Sequence, residues 1–153
     1  MSSHPTRGAW ITDMADRLRG LFDATRYEVP ENVRCSCARE GRAKGPGWCT
    51  FEGARCGVYV SPDVSDPVNV AEILLHELVH AALGARAGHG RKFQRCAAAV
   101  GLVYLSHTRG GTFATAECLK TLRSFVEECG PYPPDARREH RDGRQLSLPG
   151  GGE

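Results

Sequence analysis

The sequence predicts an α+β domain in which a small sheet of about three strands lies beside a long central helix, with further helices packed around them. Short segments of strand character cluster before residue 61, and an almost wholly apolar helical stretch follows over residues 67–84. Amphipathic patterns at helical spacing flank that pair, one before and two after. At 153 residues the chain suits one domain with a real core, and 41% apolar against 25% charged residues is the balance of a soluble globular protein.

Residues 1–9 carry Ser, Pro and Gly and are expected to be a flexible N-terminus, leaving the folded domain to 10–133. From Trp10, the positions Ile11, Met14, Ala15, Leu18, Leu21 and Phe22 recur at helical spacing. Residues 27–37 read as extended, because Val33, Cys35 and Cys37 alternate with Arg34 and Ser36 and so share one face. Residues 41–47 read as a loop, and 48–51 and 57–60 as two further strands around the Glu52-Gly53 turn.

Asp66 is suited to cap the central helix, and Pro67 fits its first position, where a missing N–H costs nothing. Apolar residues on nearly every side bury this helix in the core. Gly84 to Gly88 form a turn, and Phe93, Cys96, Ala97 and Val100 mark a helix over 90–100, with Phe93 wedging it against the central one. Arg91, Lys92 and Arg95 then form an exposed basic edge. Residues 102–105 are extended, and Thr112 or Thr115 caps a last helix, whose stripe of Cys118, Leu119, Leu122, Phe125, Val126 and Cys129 ends at Gly130 and Pro131. Residues 134–153 hold almost no apolar side chains and read as a disordered tail, with Arg137, Arg138, Arg141 and Arg144 diluted by acids.

Composition narrows the partners. A net charge of +2 supports nucleic-acid binding only weakly. No run nears the roughly 20 apolar residues that a membrane span requires, so no membrane partner is expected. An odd count of seven cysteines without a visible export signal points to a reducing, cytoplasmic setting. Cys35, Cys37, Cys49 and Cys56 have a spacing that matches no standard zinc ribbon, and small core residues are the simpler reading of them. Oligomeric state is not legible.

The chemistry centres on His76-Glu77-Leu78-Val79-His80. On a helix the two imidazoles stand one turn apart on one face and reach a single metal ion. This is the pattern of zinc metallopeptidases, in which the carboxylate after the first histidine stays off the metal and serves as the base. His89, between Gly88 and Gly90, offers a third imidazole after the chain turns back. Tyr104 and His107 are candidates for a transition-state hydrogen-bond donor, since an oxyanion needs a partner besides the metal.

His76-Glu77-Leu78-Val79-His80-Ala81, followed by Gly88-His89-Gly90-x-x-Phe93, resembles the SprT-like metalloprotease domain of the Spartan family over roughly residues 45–101. The resemblance implies a zincin-like fold, one Zn2+ per chain held by His76, His80 and His89, Glu77 as catalytic base, and a protein or peptide substrate that is DNA-associated in some relatives. The insert between His80 and Gly88 is shorter than in Spartan, and no Cys-x-x-Cys zinc ribbon follows. Other layouts fit worse: a metzincin-like third histidine would fall on Arg86, no Met follows Met14, and no Glu lies between Glu77 and Glu117. The alternatives are a regulatory zinc peptidase resembling the ImmA/IrrE group and a non-catalytic, zinc-stabilised module that binds DNA or protein. Residues 57–60 are the expected edge strand for an extended substrate.

Overall fold

The computed structural model describes residues 4–39, 45–105 and 111–136. The described residues form an α+β arrangement of four α-helices and a three-stranded sheet, with an additional two-stranded sheet. His107, the arginines of the tail and most of the 41–47 loop lie outside the described residues.

Helix α1 (Arg7–Arg19) starts three residues before the expected Trp10, inside the stretch read as flexible. The cause is local: the Thr6 hydroxyl accepts from the Ala9 amide, satisfying a donor that the helix leaves open. Arg7 then donates to the carbonyls of Pro133 and Pro62, each at 2.8 Å, so this end is stitched to two distant parts of the chain. A 3-10 turn, Gly20–Phe22, ends the segment.

The three-stranded sheet consists of β1 (Val33–Cys37), β2 (Gly47–Glu52) and β3 (Arg55–Val60), in the order β1-β3-β2. β1 pairs parallel to β3, and β2 pairs antiparallel to it. This corrects the expected edge: residues 57–60 belong to the central strand, and among the described residues the edges of the sheet are β1 and β2. The tight Glu52 to Arg55 hairpin forces β2 and β3 to be neighbours, so a parallel β1 can enter only on the far side of β3. The extended reading of 27–37 likewise shortens to Val33–Cys37, because the residues before it have no strand partner.

Helix α2 (Pro67–Leu83) packs on β2 and β3 and against α1, α3 (Arg91–Ala99) and α4 (Ala116–Cys129). Asp66 caps it through the Asn69 amide at 3.0 Å, with Pro67 in the first turn. Val70, Ala71, Leu74, Leu75, Leu78 and Val79 are fully buried, which explains why the helix is apolar nearly all round. Around it Trp10, Met14, Leu18, Val58, Phe93 and Leu122 complete one continuous core.

After α3 the chain forms β4 (Leu102–Tyr104) and β5 (Thr112–Ala114), paired antiparallel. Thr112 therefore does not begin the last helix. Thr115 caps α4 by accepting from the Cys118 amide, while β-branched Thr112 and aromatic Phe113 are drawn into strand pairing with Tyr104 and Val103. No helix among the described residues is long and apolar enough to cross a membrane.

Candidate metal centre

His76 and His80 lie on the exposed flank of an otherwise buried helix, with ring centroids 5.1 Å apart, as spacing of four residues dictates. The helix stops at Leu83, and Gly84, at φ +89°, turns the chain away while its amide closes on the His80 carbonyl. Gly88, at φ +52°, completes the reversal in a backbone region that side chains rarely adopt. His89 follows directly, ahead of α3, and Gln94 holds its carbonyl with a 3.1 Å hydrogen bond.

All three Nε2 atoms then converge. His80 Nε2 is 3.0 Å from His89 Nε2, which is 3.4 Å from His76 Nε2. Three imidazole nitrogens this close, all within 4.8 Å of one another, could together hold one metal ion. Among the described residues this half-buried triad is the only group of three or more His, Cys, Asp or Glu side chains close enough together to hold a metal ion. Burial, reinforced by the neighbouring imidazoles, lowers the His76 pKa to about 3 and the His80 pKa to about 4. Burial also lowers that of His89. Near neutrality the rings are therefore uncharged, the form that binds a metal.

Phe93 sits beneath the triad, fully buried, with its ring centroid 5.0, 4.6 and 4.8 Å from those of His76, His80 and His89. It wedges α3 against α2 as its helical spacing suggested, and it also fixes the planes of all three imidazoles. Tyr104 stacks outside His89 at 6.4 Å and 22°. It is not among the residues lining the cleft that holds the triad.

Glu77 is buried beside the triad, with Oε1 4.0 Å from His76 Nε2, too far to share a ligand position and near enough to reach a water molecule between them. Burial raises its pKa to about 7. The edge strand β2 crosses close over it. A Cβ on Gly47 would lie 2.5 Å from Ile73 Cγ2 and 3.3 Å from Glu77 Cγ, so only glycine allows this approach. Triad, Glu77 and the edge of β2 line one cleft of about 620 Å³, together with Trp48, Phe51, Asn69 and Glu72.

Two contacts had not been expected from the sequence. Thr112 Oγ1 is 2.8 Å from His76 Nδ1, and Glu72 Oε1 accepts from the Ala114 amide at 3.0 Å. Glu72 was within reach of helical spacing, since 72, 76 and 80 form one stripe. Thr112 was not, because its contact depends on long-range strand placement.

Among the described residues Cys35, Cys37, Cys49 and Cys56 do not come together as a metal site. All seven cysteines are free, and although Cys49 and Cys56 approach to 3.4 Å, no third ligand joins them among the described residues. Burial pushes the Cys35 thiol up to about 12 and that of Cys49 higher still, away from the thiolate that a metal requires. Arg91, Lys92 and Arg95 are exposed along α3, as expected of a solvated face.

No known protein family, curated protein or solved structure matches this chain.

Proposed function

We propose that the protein is a zinc-dependent endopeptidase of the SprT-like kind, with a zincin-like arrangement of helix, edge strand and histidine triad. The observation that carries this is the carboxylate of Glu77, held beside three convergent imidazoles yet outside their ligand positions. A purely structural site has no use for a buried, unligated carboxylate and ordinarily closes its fourth position with a protein side chain.

His76, His80 and His89 would hold the ion, and bound zinc supplies an electrophile for the scissile carbonyl and a more acidic water. Glu77 takes the proton of the attacking water and passes it to the leaving amine. The edge strand β2, rather than residues 57–60, aligns an extended substrate through main-chain hydrogen bonds. The substrate is protein or peptide; DNA-associated protein is the case the resemblance favours, with the exposed arginines and lysine of α3 as its phosphate contacts.

The test compares wild type with Glu77→Gln for zinc content and for cleavage of unfolded protein, free and bound to DNA. Both proteins should carry close to one zinc per chain, and the variant should cleave at least about 100-fold more slowly. Zinc in both with cleavage in neither would favour a zinc-stabilised binding module.

A further inference from the structure

The two polar contacts that join β5 to α2 lie one helical turn apart on the stripe that carries the metal ligands. At one, Glu72 Oε1 receives the Ala114 amide at 3.0 Å; at the other, Thr112 Oγ1 meets His76 Nδ1 at 2.8 Å. Thr112 and Ala114 alternate along the strand while Glu72 and His76 are four apart on the helix, so the short strand is pinned at both ends.

The direction of the His76 contact follows from the triad. His76 Nε2 faces His89 Nε2 at 3.4 Å and must keep its lone pair there to bind an ion. A neutral imidazole has one N–H, which therefore sits on Nδ1 and donates to the Thr112 hydroxyl. Thr112 thus selects both the tautomer and the ring rotation of His76. A neutral acceptor there leaves the His76 ring a weaker electron donor than a carboxylate partner would.

We propose that Thr112 is a positioning residue for the metal centre, acting through His76 Nδ1, and that Glu72 holds β5 in place for that purpose. The proposal rests on the reading of His76, His80 and His89 as metal ligands, and not on the identity of the substrate.

The experiment measures zinc affinity of the full chain by competition with a chromophoric chelator, alongside urea unfolding of the metal-free protein. Thr112→Val keeps the shape and removes the hydroxyl, and should bind zinc about 10–100-fold more weakly. Thr112→Ser restores the oxygen and should stay within about threefold of wild type. Glu72→Ala should weaken zinc binding as well, but by little when Thr112 is already Val, because the two act through one contact. Should Thr112→Val lower the metal-free stability, Thr112→Ser and the Glu72 pair still read the effect in the same assay. Wild-type affinity in Thr112→Val, or fully additive losses in the double variant, would overturn the role of Thr112. No zinc binding by wild type would instead remove the ligand reading on which it rests.

Discussion

Replacing Glu77 by glutamine should stabilise the metal-free protein, and only at high pH. The Glu77 side chain is 9% exposed, and burial moves its pKa from 4.5 to about 7. A carboxylate whose pKa is raised by folding favours the folded state fully below about 4.5, and that contribution is lost as the pH rises through about 7. The gap is worth about 3 kcal/mol at about 1.4 kcal/mol per pH unit. Glutamine keeps the shape and cannot ionise. After chelation and dialysis, urea unfolding at pH 8 should therefore show Glu77→Gln about 3 kcal/mol more stable than wild type, and under about 1 kcal/mol more stable at pH 5. An equal difference at the two pH values would refute burial of an uncompensated carboxylate. A variant that bound zinc less well would not, because that measures the ligands.

Other consequences follow from the same packing. Phe93→Ala removes a fully buried ring from under all three imidazoles, so it should cost about 3–5 kcal/mol by urea unfolding and weaken zinc binding in chelator competition. Gly47→Ala forces a Cβ to within 2.5 Å of Ile73 and 3.3 Å of Glu77, which should cost about 1–3 kcal/mol in unfolding and slow peptide cleavage while leaving zinc content near one per chain. His76 carries the opposite pH sign to Glu77. Its pKa is lowered to about 3, so its contribution is present above the ordinary 6.5 and lost as the pH falls toward about 3. Metal-free wild type should lose about 3 kcal/mol between pH 6.5 and pH 4 that a His76→Leu variant keeps, as read by unfolding at each pH.

What the sequence made legible was whatever depends on local spacing. The helix start at Asp66 and Pro67, its largely apolar surface and the placing of His76 and His80 on one flank all follow from residues within a few positions of each other. So does the reversal through Gly84 and Gly88 that returns His89 to them. Strand order was not legible in this way. Residues 57–60 read as a strand without any sign of which neighbours it takes; β1 pairs on their far side, and nothing in Val33–Cys37 announces a parallel partner about twenty residues on. β5 was hidden because Thr112 and Thr115 both look like helix caps; antiparallel pairing with Tyr104, at the end of the preceding strand β4, decides between them. Start signals can also be missed among Pro, Ser and Gly: Thr6 caps α1 inside a stretch that composition marks as loose. The Thr112 contact with His76 is the functional cost of not seeing β5.

Three histidines, and no cysteine, are expected to receive one ion. X-ray absorption at the zinc edge of the zinc-loaded protein tests it most directly. Three imidazole nitrogens and one further light atom at about 2.0–2.1 Å are expected, and a sulfur shell near 2.3 Å, or no bound zinc to measure, would contradict it.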